Sequence, residues 1–117
     1  MEAEYIILSD NNLTDSLSPF LCNSNNLVVL SLSRNNFYGE LPSNIGNASA
    51  LKVLMLDDNN FSGNLPESIA NIHSLMLLDL SNNKFSNTLP DVGFNQRLQT
   101  IDFSSNAFSS EIPSNVS

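Results

Sequence analysis

The sequence predicts a right-handed solenoid, a stack of short coils whose strands run parallel in one sheet. The main observation is a repeat of 24 residues that occurs five times, with the fourth copy one residue short and the fifth cut by the end of the chain. A fixed period of this size indicates a repeat architecture, because each coil can bury its apolar face only against its neighbours. We therefore expect a single domain, residues 1–117, made of repeats 3–26, 27–50, 51–74, 75–97 and 98–117.

Two alternating apolar positions in each copy predict a short strand. Position 1 is Leu27 in the second copy, and the other copies are numbered in register with it. Positions 4 and 6 are apolar throughout: Ile6 and Leu8, Leu30 and Leu32, Leu54 and Leu56, Leu78 and Leu80, Ile101 and Phe103. A period of two places both side chains on one face of a strand. We expect strands near residues 5–7, 29–31, 53–55, 77–79 and 100–102, about 4.8 Å apart.

Position 9 is an asparagine in every copy, and this favours a structural role over a ligand site. The five residues are Asn11, Asn35, Asn59, Asn83 and Asn106. A turn that leaves a strand has backbone N–H and C=O groups without ladder partners, and such groups must be satisfied when they are buried. Because an amide side chain both donates and accepts, we expect these residues to form an asparagine ladder that bridges consecutive coils.

The second half of each copy is expected to complete the core and to return the chain without a regular helix. Position 11 predicts an aromatic column in the core rather than a stacking platform: Leu13, Phe37, Phe61, Phe85 and Phe108. A proline then ends regular pairing at Pro42, Pro66, Pro90 and Pro113, and one residue later, at Pro19, in the first copy. About eight residues remain, which are too few for a crossover helix and favour a 3₁₀ turn.

Composition excludes several classes of partner. Lys plus Arg number 4 against 12 Asp plus Glu, and the isoelectric point is near 4.1. Binding to nucleic acid needs clustered basic residues that displace counterions from phosphates, and an anionic membrane surface makes the same demand. We therefore expect no nucleic-acid partner and no cofactor or metal.

The copies resemble the leucine-rich repeat, whose pattern is L-x-x-L-x-L-x-x-N-x-L, and in particular its plant-specific subclass, which continues with G-x-(I/L)-P. Residues 37–42 (FYGELP) and 61–66 (FSGNLP) match that continuation fully, whereas Asn87 and Ser110 replace the glycine in later copies. The resemblance implies an α/β horseshoe with its sheet on the concave face and short irregular convex segments. It also implies the extracellular part of a plant receptor-like protein or receptor-like kinase, with a role in ligand perception, signalling and defence.

Ectodomains of that subclass begin with a cysteine-paired cap, often with a tryptophan, and end in another cap before a membrane helix. This chain has one cysteine, Cys22, no tryptophan, and no apolar run long enough to span a membrane. Residues 1–4 also lack the basic start of a signal peptide. We expect an uncapped internal slice of such an ectodomain, or a truncated product, that does not insert into the membrane itself. Cys22 is interpreted as a small buried hydrophobe, and the alternative is a thiol whose partner lies outside this sequence.

The solvent side of the predicted sheet is the candidate binding face. Positions 3, 5, 7 and 8 should point away from the core, and parallel stacking should place several aspartates on neighbouring strands. The candidate residues on this concave face are Tyr5, Met55, Asp57, Asp58, Asp79 and Asp102. An acidic patch of this kind suits a partner with a basic segment, and the partner class is a protein or peptide ligand, with a co-receptor. The alternative is that Ser and Asp merely fill a solvated strand exit.

Other motifs carry less information. Asp57, Asp58 and Asp79 do not indicate catalysis, because no nucleophile–base pair recurs, and we expect no enzyme. Four sequons predict candidate N-glycosylation sites in a secreted protein: Asn12, Asn47, Asn60 and Asn115. With 19 Asn and 22 Ser plus Thr in the chain, a similar number of sequons would arise by chance. The alternative function is a structural or interaction module, such as a spacer or an inhibitor-type repeat protein, with no ligand of its own.

Overall fold

The computed structural model describes residues 2–87 and 97–108. Five parallel strands form the main sheet in sequence order: β1 (Glu4–Ile7), β2 (Leu27–Ser31), β4 (Val53–Met55), β6 (Leu77–Asp79) and β8 (Thr100–Asp102). Equivalent repeat positions are in register, so that Leu30 pairs with Leu54, Leu54 with Leu78, and Leu78 with Ile101. The predicted strands and their parallel stacking are therefore confirmed.

A second parallel sheet, which the sequence did not predict, follows the turn of each later coil. Its strands are β3 (Tyr38–Gly39), β5 (Asn60–Asn64), β7 (Lys84–Asn87) and β9 (Ala107–Phe108), in that order. These segments are only two to five residues long, which is too short for periodicity to identify them. They pair because the residue at position 10 extends the backbone hydrogen bonding between coils. For example, the N–H of Asn60 donates to the carbonyl of Phe37 at 2.7 Å.

Within the described part of the chain, the return segments are single turns, as predicted. Repeats two and three return through 3₁₀ turns at Ile45–Asn47 and Glu67–Asn71. The first repeat differs, because it returns through one α-helical turn, α1 (Pro19–Cys22). There the displaced proline occupies the start of the helix, where its missing N–H costs nothing, and the Ser18 Oγ accepts a hydrogen bond from the N–H of Phe20 at 3.2 Å.

The core lies between the main sheet and the return segments and is built from the predicted columns. Leu54 and Leu78 are fully buried, and so are Phe61 and Phe85. The rings of Phe37, Phe61, Phe85 and Phe108 stack in sequence, with centroids 6.0–6.1 Å apart. Cys22 is buried in the same core, and burial raises the pKa of its thiol.

The position-9 asparagines connect each coil to the one before it. In the fourth repeat, the Nδ2 of Asn83 donates to the carbonyl of Leu56 at 2.8 Å, and its Oδ1 accepts the N–H of Phe61 at 3.0 Å. Asn35, Asn59 and Asn106 make the equivalent pairs of contacts with their preceding coils. Each amide thus satisfies a carbonyl at the strand exit and an N–H after the turn, and the strand exits are held at fixed positions.

Candidate functional site: the sheet face

The outer surface of the main sheet, here called the sheet face, consists of the side chains at positions 3 and 5 of its five strands. Position 3 forms one row across the strands: Tyr5, Val29, Val53, Leu77 and Thr100. Position 5 forms a second row: Ile7, Ser31, Met55, Asp79 and Asp102. Because pairing is parallel and in register, each row is a straight line of side chains at strand spacing.

The sheet face has an apolar part and an acidic part. Tyr5 and Ile7 on the first strand are 62% and 64% exposed, and Val53 and Met55 in the middle are half-buried. The last two strands carry carboxylates at position 5 instead. A surface with exposed apolar side chains beside fixed charges contacts other molecules more readily than a uniformly polar surface does.

Asp79 and Asp102 form the acidic part, and they pair directly across the two strands. The Oδ1 of Asp102 accepts hydrogen bonds from the N–H and Oγ of Ser104, at 3.0 and 2.6 Å. Asp79 makes the same two contacts with Ser81, at 3.0 and 2.7 Å. The hydrogen bonds from Ser104 lower the pKa of Asp102 below its ordinary value of 3.8, because they favour the ionised form. Asp102 is therefore ionised at neutral pH.

Asp57 does not belong to the sheet face, and the prediction that it points into solvent is wrong. Its side chain is buried, with 6% of the residue exposed, and it accepts a hydrogen bond from the Oγ of Ser33. The Nη1 of Arg34 lies 3.7 Å from its second oxygen. The next residue, at position 8, turns the chain in a left-handed conformation, with φ of 56° at both Arg34 and Asp58.

The residue types at position 7 contained a signal for this enclosure. They are small and polar in all five copies: Ser9, Ser33, Asp57, Ser81 and Ser104. In the first three copies they belong to one hydrogen-bonded series, in which the Oγ atoms of Ser9 and Ser31 are 2.7 Å apart and those of Ser31 and Ser33 are 3.4 Å apart. Ser33, Asp57 and Ser81 are buried, whereas Ser9 is half-buried and Ser104 is exposed, so the small polar residues indicate restricted space in the middle coils.

The carboxylate of Asp10 is also neutralised within the molecule. The guanidinium of Arg34 contacts both carboxylate oxygens of Asp10, with Nη2 at 2.9 Å from Oδ2. This contact lowers the pKa of Asp10 and raises that of Arg34. Of the predicted acidic residues, Asp58, Asp79 and Asp102 therefore remain the charges that face solvent, and Asp58 lies at the exposed strand exit.

Three of the four predicted glycosylation sites fall within the described residues. Asn12 and Asn47 are exposed, whereas Asn60 is half-buried in β5 and its Nδ2 donates to the Oδ1 of Asn36. Asn115 lies outside the described residues.

Within residues 2–87 and 97–108, no group of three or more His, Cys, Asp or Glu side chains is arranged to hold a metal ion. In the same part of the chain no helix is both long and apolar enough for a membrane span.

Stacked parallel coils, a ladder of buried asparagines and an open sheet face define a repeat protein of the solenoid class. The model of the Leucine Rich Repeat family matches residues 3–24, 26–48, 50–72, 74–95 and 97–117. The chain therefore belongs to the Leucine Rich Repeat family. Comparison with curated proteins gave no match.

Solved structures of plant receptor ectodomains are similar to this chain. The ectodomain of the membrane receptor kinase GASSHO1/SCHENGEN3 from Arabidopsis thaliana, in complex with CASPARIAN STRIP INTEGRITY FACTOR 2, is 36% identical with a TM-score of 0.91. The match covers 95% of this chain and 13% of that one. The Arabidopsis receptor kinase HAESA, in complex with the peptide hormone IDA and the co-receptor SERK1, is 31% identical with a TM-score of 0.88, over 92% of this chain and 18% of that one.

The ectodomain of the receptor kinase SOBIR1 from Arabidopsis thaliana is 33% identical with a TM-score of 0.85. That match covers 93% of this chain and 60% of the SOBIR1 chain. The chain thus spans less than two thirds of the length of each of these ectodomains.

Proposed function

We propose that this chain is a non-catalytic recognition module of a plant cell-surface receptor, on the extracellular side, and that it binds a protein or peptide ligand on the sheet face. Two of the similar ectodomains support the ligand class, since one was solved with a peptide hormone and a co-receptor and another with CASPARIAN STRIP INTEGRITY FACTOR 2. A co-receptor is the second partner in the proposal.

The observation that carries the proposal is the arrangement of the sheet face into two in-register rows. A ligand laid across the strands would meet the apolar side chains of Val53 and Leu77 and then the carboxylates of Asp79 and Asp102. Because these side chains stand on a preformed sheet, little ordering entropy is lost on the receptor side when a partner binds. The fixed negative charges favour a ligand with a basic group near the last two strands.

Fewer aspartates are available to a ligand than the sequence predicts. Asp57 is enclosed and lies 3.7 Å from the Nη1 of Arg34, whose guanidinium also contacts Asp10, so these two carboxylates contribute less to the field outside the molecule. Within the described residues, the side-chain carboxylates of Asp79 and Asp102 accept hydrogen bonds only from serines on their own strand exits, which leaves their charge uncompensated. These two residues, with Asp58, are the groups we propose for charge recognition.

A library of synthetic peptides with varied net charge tests the proposal. Peptides that bind the chain should be enriched in Lys or Arg beside apolar residues. In the doubly neutralised variant Asp79→Asn with Asp102→Asn, their association should slow and lose salt dependence, because charges on an exposed face act mainly on the association rate. Glu67→Gln is the matched control, since it removes one exposed charge from a return segment and should leave association almost unchanged.

Cross-linking identifies the surface independently of charge. A photoreactive side chain placed at Leu77 should capture the selected peptides, whereas one placed at Ser43 in a return segment should not. Capture at Ser43 together with indifference to the Asp79 and Asp102 substitutions would refute the sheet-face proposal. A library that yields no binding peptide would favour the alternative of a spacer module.

A further inference from the structure

We propose that the folded chain carries N-linked glycans on Asn12 and Asn47 and excludes one from Asn60, so that the sheet face stays free of sugar. The inference rests on the proposed extracellular function, because N-glycans are attached in the secretory pathway. The observation behind it is that the three sequons have the same local sequence pattern but different surroundings in the fold.

Asn47 ends the 3₁₀ turn Ile45–Asn47 on the return side of the second coil, and its side chain is exposed. Its backbone is fully engaged, since its N–H donates to the carbonyl of Asn44 at 2.9 Å and its carbonyl accepts the N–H of Ser49 at 2.8 Å. Within the described residues the side-chain amide of Asn47 makes no hydrogen bond, so its Nδ2 is available without breaking a contact. A return segment lies across the core from the main sheet, so a glycan there points away from the sheet face.

Asn12 has a comparable environment at the turn of the first coil. Asn12 is exposed and adopts a left-handed backbone with φ of 57°. The hydroxyl-bearing residue of its sequon, Thr14, is also exposed. A glycan on Asn12 therefore displaces no protein group.

Asn60 is different because its sequon runs along a strand inside the second sheet. Its N–H donates to the carbonyl of Phe37 at 2.7 Å, and its Nδ2, the atom that would carry the sugar, donates to Asn36. The next residue, Phe61, is fully buried, and Ser62 pairs with Lys84 of the neighbouring strand. Asn60 is also half-buried, so a glycan on its Nδ2 would have to displace the contact with Asn36 in the neighbouring coil.

The modification is a group transfer that needs a lipid-linked oligosaccharide as donor. The side-chain Nδ2 of the asparagine attacks the anomeric carbon of the oligosaccharide, which is held on a polyprenyl diphosphate. The C–N bond forms while the C–O bond to the diphosphate breaks, the amide nitrogen loses one proton, and the lipid diphosphate leaves. No oxidant or reductant takes part.

The test is to direct the full chain into a eukaryotic secretory pathway and to map occupancy on the secreted, monomeric fraction. Peptide N-glycosidase converts each glycan-bearing asparagine to aspartate, which mass spectrometry locates after proteolysis. We expect conversion at Asn12 and Asn47 and none at Asn60. This measurement uses the unsubstituted chain, so it does not depend on any variant folding.

Matched variants assign the glycans. Thr14→Ala and Ser49→Ala keep every asparagine but remove the hydroxyl that the sequon requires, and each should lower the mass by one glycan. Asn60→Gln should leave the glycan mass unchanged. A glycan on Asn60 in the secreted fraction, or an unmodified Asn12 or Asn47, would overturn the inference.

The glycan map and the peptide-binding experiment can fail separately. A chain with the expected glycans that binds no peptide would keep this inference and refute the proposed function. A chain that binds peptides but carries a different set of glycans would refute this inference and keep the proposed function.

Discussion

At the scale of single residues, the position-9 asparagines do the most to join the coils. Asn59 and Asn83 are each 8% exposed and satisfy backbone groups on two coils at once. Leaving such groups buried without partners costs far more than an ordinary hydrogen bond contributes, because the groups cannot recover their bonds to water. The sequence identified this column from its recurrence, although it could not show which member is exposed.

We predict that Asn83→Ala lowers the free energy of unfolding by about 1–3 kcal/mol, since it leaves the N–H of Phe61 without a partner and removes the shorter of the two amide contacts to the Leu56 carbonyl. The measurement is chemical denaturation followed by circular dichroism. Asn11→Ala is the matched control, because Asn11 is exposed and, among the described residues, its side chain bonds only to Leu8 and Ser9 of its own coil. It should cost much less, and equal losses in both variants would contradict the account of the ladder.

At the scale of elements, the return segments are packed more tightly than their irregular shape suggests. Gly46 lies in the 3₁₀ turn Ile45–Asn47, and its N–H donates to the Oγ of Ser68 in the next return segment at 3.1 Å. A Cβ on Gly46 would come within 2.5 Å of the backbone carbonyl oxygen of Ser68. This close approach sets the spacing of the two coils on the side opposite the sheet.

We predict that Gly46→Ala destabilises the fold by about 1–3 kcal/mol, because a backbone carbonyl cannot move aside as a flexible side chain can. Ser43→Ala is the control, since it changes an exposed side chain of the same return segment and keeps the backbone carbonyl to which Ser68 donates. Thermal unfolding of the two variants gives the comparison. An unchanged midpoint for Gly46→Ala would mean that the return segments separate easily.

At the scale of the whole molecule, stability should vary along the stack, since each coil is stabilised by its neighbours. The middle coils have neighbours on both sides, and Leu54, Leu56 and Phe61 are fully buried there. The first coil has one neighbour among the described coils, and Leu8 and Leu13 are 39% and 37% exposed although they occupy core positions.

We predict that amide hydrogen exchange reflects this gradient. The N–H groups of Leu56 and Asp58, bonded to the next coil at 2.9 and 3.0 Å, should be protected close to the global unfolding free energy. The N–H groups of Leu8 and Asp10 make equivalent bonds, both of 2.9 Å, in the first coil and should exchange faster. Uniform protection would show instead that the coils open only together.

The sequence by itself determined the repeat, the main sheet and its register, the aromatic column and the family. These follow from periodicity, which local side-chain patterns express directly. Only the tertiary structure decided which polar residues are free. The sequence predicts that Asp57 and Asp79 both lie on the solvent side of the sheet, but Asp57 is enclosed beside Ser33 and Arg34 whereas Asp79 is half-buried on the sheet face. Similarly, Asn47 and Asn60 share a sequon pattern but differ in exposure. The reason is that enclosure depends on side chains 24 residues away in the neighbouring coil, which a local pattern does not contain.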